Sequence, residues 1–477
     1  MDLAEALPLL MFAALAVLLF SGYPVAWILG GIGLAFGFIG IAMEEFLLVQ
    51  FRSLPSRIFG GIMESLILTA IPMFIFMGTM LEKSGIARDL LNCLQVLLRR
   101  VPGGLALAVT LMGTILAATT GIIGASVIMM SLLALPVMVK RDYNPSLATG
   151  TIAASGTLGI LIPPSIMLVI MADLLSRSVG HLFMAAVFPG LILAGLYSAY
   201  IMIRCSINKE LAPPLPSDIG PQTSLGVFGM VMRSFIPPVI LITLVLGSIL
   251  GGFATPTEAA GVGAMGAILL GFINLVILPS VGVMEMQFEG ASKLGDEEEM
   301  HKAKGFFGHL AHFGRVLSDV VERAALTNAM IFGIFIGATL FSFVFRSLGG
   351  DELVLDLVDA TGLGSWGLLF LIMGIVFILG FFFDWIEITL IVLPVFAPII
   401  AQLDFGDHVD KFEVTYWFAI LLAVNLQTSF LTPPFGFALF YLKAVAPSSI
   451  CRAAWRASTP PSSVSPAAAR GSASRRR

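Results

Sequence analysis

The chain has 477 residues, of which 58% are hydrophobic and only 12% charged, against roughly 25% charged for an average soluble chain. With a mean hydropathy of +0.98, that balance excludes a soluble enzyme. The apolar runs are continuous and rich in Leu, Ile, Gly and Met, which excludes the alternating strands of an outer-membrane barrel. The net charge of −4 says little, because the distribution of Lys and Arg among the loops is what orients a membrane protein.

Crossing a hydrocarbon core takes about 20 helical residues, and stretches of that kind recur from Leu7 to Lys443. In chain order they predict spans over 7–21, 24–42 and 60–81, with no cleavable signal site, and then an interfacial amphipathic helix over 82–101. Next comes 103–139, an apolar stretch of 37 residues. As one helix it would be about 55 Å long, far more than a core of roughly 30 Å. Arg99 and Arg100 precede it and Lys140 and Arg141 follow it, and basic loops prefer the cytoplasm. It is therefore expected to enter and leave on one side, turning in the run ATTGIIGAS (118–126).

A span over 147–171 follows, then others over 182–204, 234–251 and 257–278. The insertion 283–323, with His301, His309 and His312, reads as a solvated cytoplasmic helix. Span 324–346 leads to a second overlong stretch, 366–401, whose flanks are acidic: Asp351, Glu352, Asp356 and Asp359 before it, Asp404, Asp407, Asp410 and Glu413 after it. This hairpin is expected to enter from the external face. The last span is 414–442, and the tail 448–477, rich in Ala, Ser, Pro and Arg, is expected to be disordered. Cys93, Cys205 and Cys451 have neither disulfide nor zinc spacing and read as small apolar fillers.

The two halves repeat one pattern. Ser126 lies ten residues before Pro136 in SVIMMSLLALPV, and Asp384 lies ten before Pro394 in DWIEITLIVLPV. Each hairpin is followed by a span interrupted by a proline pair, Pro163-Pro164 and Pro433-Pro434, preceded by small and polar residues. Proline removes an amide and clashes with the preceding turn, so each span should unwind there. The expected fold is an all-α polytopic membrane protein with an inverted repeat of two re-entrant hairpins and two broken helices. Its parts are N-terminal scaffold helices (1–59), a first repeat (60–204), linking helices with the insertion (205–323), a second repeat (324–447) and the tail. The counterpart of span 182–204 is missing after Lys443, as a frameshift or truncation would leave it.

Carbonyls freed by unwinding, together with hydroxyls and amides, are hard oxygen ligands suited to sodium. The candidates are Ser155, Gly156, Thr157, Gly159, Asn425 and Thr428, with Ser429 and Thr432 nearby. Membrane-embedded carboxylates are costly and therefore informative. Asp384 is the candidate for cation coupling; Glu387 and Glu64 are further embedded acids, and Glu258 competes with a helix-capping reading. No Lys or Arg sits plainly in a hairpin or a break. An anionic cargo would then rest on the positive amide ends of half-helices around Thr119, Thr120, Gly121 and Ser126, with Pro163, Thr432 and Pro433 at the breaks.

At these residues the chain resembles the large membrane subunit of the tripartite ATP-independent periplasmic (TRAP) transporters, the DctM-like family. The resemblance is carried by TAIPMFIFMGTMLEKSGIA (69–87), PGGLALAVTLMGTILAATTGIIGASV (102–127), NPSLATGTIAASGTLGILIPPSI (144–166), FATPTEAAGVGA (253–264) and NLQTSFLTPPFGFALFYLKAVAP (425–447). It implies an elevator-type, sodium-coupled importer of organic acids, such as dicarboxylates, in a bacterial inner membrane. Two partners are implied: a small DctQ-like membrane subunit and a soluble DctP-like periplasmic binding protein. No cofactor beyond coupling sodium ions and no nucleic acid is expected, and the lipid bilayer is the medium. A sodium/organic-anion symporter working without a binding protein is the alternative within the same superfamily; the TPTEA run and the IPPS break favour the tripartite reading.

Overall fold

The computed structural model describes residues 6–121, 123–214, 220–221, 223–280, 305–432 and 436–446, with backbone alone described at 117–120, 357–359, 361 and 437. The tail 448–477, most of the insertion before residue 305, Cys451, Pro433 and Pro434 lie outside these residues.

The described residues are helical, with no strand among them. In chain order the main helices are α1 (Leu7–Leu19), α2 (Val25–Ala42), α3 (Ala70–Lys83), α4 (Ile86–Leu97), α5 (Gly104–Thr120), α6 (Ile123–Lys140), α7 (Pro145–Thr157), α8 (Ile166–Leu174) and α9 (Val179–Ile207). They continue with α10 (Ser224–Leu250) and α11 (Pro256–Ser280), each containing a π-helical turn. The last are α12 (Gly305–Ser347), α13 (Gly350–Thr361), α14 (Ser365–Leu379), α15 (Trp385–Ile400), α16 (Val414–Phe430) and α17 (Phe437–Val445). Six of the helices, α2, α6, α9, α10, α11 and α12, are long and apolar enough to cross a membrane. The overlong stretch 103–139 is divided at Gly121 into α5 and α6, and 366–401 is divided at residues 380–384 into α14 and α15.

Two expectations are corrected. The predicted span 60–81 is interrupted: a π-helical turn over Phe59–Met63 gives way to non-helical backbone before α3 starts at Ala70. Distant side chains hold the unwound segment. The Ser65 hydroxyl donates to Asp173 at 2.8 Å, and the Thr257 hydroxyl donates to the Leu66 carbonyl at 2.6 Å. The second correction concerns 305–323, which is helical and largely exposed as expected but runs without a break into the predicted span 324–346 as the first part of α12. That helix has 43 residues and is about 64 Å long. His309, His312 and Phe313 fall on one face of it and are buried. Phe313 meets Phe272 of α11 edge-on, with ring centroids 5.3 Å apart.

Small residues let the central helices approach closely, as is usual where lipid supplies no hydrophobic drive between them. A Cβ on Gly33 of α2 would lie 3.2 Å from the Leu340 carbonyl carbon, and one on Gly337 of α12 would lie 2.5 Å from the Ala26 carbonyl oxygen. Polar contacts hold α12 within its first half and at its C-terminal end. Lys83 of α3 pairs with Asp319 at 3.2 Å, and Arg346 donates to the Pro394 carbonyl of α15 and pairs with Asp351 at 3.6 Å.

Candidate functional site

The first interrupted helix runs as α7 to Thr157, continues as a 3-10 turn over Leu158–Ile160, and resumes as α8 after the cis Pro163-Pro164 bond. Ser165, which is buried, ties the unwound stretch together by donating to the Ile160 carbonyl at 2.6 Å. The second interrupted helix runs as α16 to Phe430 and resumes as α17 after Gly436, whose φ is +49°.

The tips of both helix pairs lie on these interruptions. Gly121, at the turn between α5 and α6, has φ +56°, and a Cβ there would lie 2.7 Å from the side chain of Ile166, the first residue of α8. The amide ends of α6 and α8 are thereby neighbours. Three residues on, a Cβ on Gly124 would lie 2.9 Å from the ring of Tyr441 in α17, so the first tip also touches the second interrupted helix. The other pair does the same: Gly380, ending α14, abuts Ser429 of α16, and α15 packs on α8. Asp384 caps α15, accepting from the Trp385 amide at 2.8 Å, while Glu387 reaches back to the Asp384 amide at 3.2 Å.

One hydrogen bond joins the two interruptions directly. The Gln427 side-chain amide of α16 donates to the Thr157 hydroxyl of α7 at 3.3 Å, and both side chains are 0% exposed. The Gln427 carbonyl oxygen has no hydrogen-bond partner. A buried acceptor of this kind is uncommon in a folded protein.

The sequence candidates distribute unevenly about this crossing. Thr157, Gly156, Ser155 and Gly159 are buried at the end of α7, with the Ser155 hydroxyl donating to the Thr151 carbonyl at 2.6 Å and standing 3.4 Å from the Thr110 hydroxyl. Gly156 presses against Val127 of α6, and Ser126 beside it is buried. Pro163 is also buried. Asn425 is engaged by the opposite helix pair, donating to the Met373 carbonyl of α14 at 2.7 Å. Thr428 is exposed and donates to the Asn425 carbonyl at 2.8 Å, as Thr432 does to the Thr428 carbonyl at 2.8 Å. Thr119 and Thr120 close α5 by their backbone; their side chains, and Pro433, lie outside the described residues. Glu64 is exposed, and Glu258 completes a capping box with Thr255, accepting from its amide and its hydroxyl at 2.8 Å each. Cys93 and Cys205 are free and buried.

Gln427, Ser165 and Tyr441 escaped sequence reasoning. Gln427 and Ser165 stand within the NLQTSFLTPP and ILIPPS motifs, where the clustering of polar residues at a break was the available signal. Tyr441 carries none, because only the packing of α17 on the first tip gives it a role. Among the described residues no group of three or more His, Cys, Asp or Glu could hold a metal ion. The oxygens at the crossing come instead from hydroxyls, backbone carbonyls and one carboxamide.

Apolar helices packed around a polar crossing of two interrupted helices define a multi-pass membrane transport protein. Sequence comparison gives the family: residues 12–460 match the model described as "Tripartite ATP-independent periplasmic transporter, DctM component", and the chain belongs to that family, the large permease subunits of TRAP transporters. It is 30% identical to the C4-dicarboxylate TRAP transporter large permease protein DctM of Pseudomonas aeruginosa, over 83% of this chain and 81% of that one. It is 29% identical to the isethionate TRAP transporter permease protein DctMQ of Oleidesulfovibrio alaskensis, over 94% of this chain and 62% of that one. Among solved structures, the YdaH transporter of Alcanivorax borkumensis shares the fold with a TM-score of 0.51 at 13% identity, covering 85% of each chain.

Proposed function

We propose that this permease imports a small organic acid across a bacterial inner membrane, driven by a sodium gradient and supplied by a periplasmic binding protein. The observation that carries the reading is the buried contact of Gln427 with Thr157, beside a carboxamide oxygen that no protein group satisfies. Oxygen donors at unwound helix segments suit a hard monovalent cation, and this one joins the two halves of the transport core, so its occupancy would be felt by both. The neighbouring amide ends of α6 and α8 favour an anionic cargo. The substrates named for the two relatives, a C4-dicarboxylate and isethionate, are both small organic acids.

In this reading α5–α6 and α14–α15 are re-entrant hairpins that move as an elevator against a scaffold of α2 and α12, whose glycine-lined contact is too close to slide. A small membrane subunit completes the scaffold; the name of the DctMQ relative is that of a permease joining both subunits. The test is uptake into proteoliposomes containing this chain, the small subunit and the binding protein, under an inward sodium gradient. Uptake is expected only with all components and sodium. Uptake that follows a proton gradient and ignores sodium would overturn the coupling. Uptake by this chain alone would favour the binding-protein-independent symporter.

A further inference from the structure

A cavity of about 580 Å³ lies between α5, α7 and α9, and its lining stops at Ala154, short of the break at Thr157. The Asn144 amide donates to the Leu211 carbonyl at 2.9 Å, which draws the loop after α6 against the end of α9. The two segments that meet there carry four bases, Lys140, Arg141, Arg204 and Lys209, and two acids, Asp142 and Glu210. Arg204 and Asn144 line the cavity itself.

Inward from the mouth the wall is apolar, formed by Leu147, Leu193 and Leu196. Leu196 and Tyr200, both lining residues, are 60% and 62% exposed on the outer face of α9, so the cavity opens sideways towards hydrocarbon. At depth stands Thr151, which is 5% exposed and whose hydroxyl has no hydrogen-bond partner. At the preceding residue, a Cβ built on Gly150 would meet no heavy atom within 4 Å, so the backbone of α7 borders open space there.

We propose that this cavity binds one anionic phospholipid from the leaflet on the basic side, with its phosphate at Arg204 and an acyl chain along Leu147, Leu193 and Leu196. The Thr151 hydroxyl donates to an ester carbonyl of the same lipid. Basic pockets between transmembrane helices recognise acidic headgroups in this way, and a lateral opening selects a lipid over a water-soluble anion. Because Thr151 and Thr157 share α7, the bound lipid braces the helix that carries the first interruption.

The test uses the full chain, purified, delipidated and reloaded with phosphatidylglycerol, phosphatidylcholine or inorganic phosphate, with retained molecules counted by native mass spectrometry. One phosphatidylglycerol per protein is expected, and Arg204→Gln should weaken its binding about fivefold, the weight of one basic residue near an anionic headgroup. Gly150→Leu fills the cavity from a position with room for a side chain, so it should abolish retention without lowering the melting temperature. Equal retention of phosphatidylcholine and phosphatidylglycerol would overturn the headgroup assignment. Full retention by a folded Gly150→Leu protein would overturn the location, and displacement of the lipid by inorganic phosphate would show a free-anion site instead.

Discussion

Replacing Thr157 by Val removes the hydroxyl that accepts from Gln427 while nearly keeping the side-chain volume. Neither group reaches water, and the carbonyl end of Gln427 already lacks a partner, so the substitution leaves a buried carboxamide with nothing at either end. An unsatisfied buried donor costs about 1–3 kcal/mol, and hydrogen bonds between transmembrane helices are worth on average about 0.6 and at most about 1.7 kcal/mol; we expect a loss of roughly 1.5 kcal/mol. Gln427→Leu should cost less. It takes both orphaned ends away, and the Thr157 hydroxyl keeps its bond to the Ala154 carbonyl at 2.9 Å. Thr157→Val made on the Gln427→Leu background should then be almost neutral, giving a coupling of about 1.5 kcal/mol in a double-mutant cycle. Unfolding in mixed micelles by titrated sodium dodecyl sulfate, followed by far-ultraviolet circular dichroism, measures it. Single effects that add within about 0.3 kcal/mol would mean that the two interrupted helices do not meet through this pair.

Three further outcomes follow from the same geometry. Asn caps a helix about as well as Asp, and Ala costs roughly 1 kcal/mol, so Asp384→Asn should fold like the parent and Asp384→Ala should be less stable. If the charge serves cation coupling, Asp384→Asn should still lose sodium-driven uptake; uptake that survives in it would leave Asp384 a cap alone. Gly156→Ala would drive a methyl into the Val127 side chain and to 3.2 Å from the Val127 backbone, separating α6 from α7 at a cost of about 1–3 kcal/mol; a melting temperature equal to the parent's would contradict that packing. Glu258→Ala removes the reciprocal half of the capping box at the start of α11 and should lower stability slightly in the same unfolding assay, with uptake per folded molecule unchanged.

The membrane class, the division of the overlong stretches and the interruption at Pro163-Pro164 were legible in the sequence, because each rests on a local quantity. A run of 37 apolar residues cannot cross a bilayer once, and a proline pair cannot continue a helix wherever it is packed. Local reasoning failed at 60–81, where apolar composition allows a continuous helix but Asp173 and Thr257 hold the backbone unwound from more than a hundred residues away. It failed at His309 and His312 too, whose surroundings depend on which face of α12 meets α11. The opening reading, a transport core built around two interrupted helices, came from the chain itself. That the interruptions meet at Thr157 and Gln427, 270 residues apart, with Tyr441 at the first tip, was decided only by the tertiary structure. Periodicity and charge fix what a segment can be, whereas the partner across a crossing depends on how closely glycine faces allow whole helices to approach.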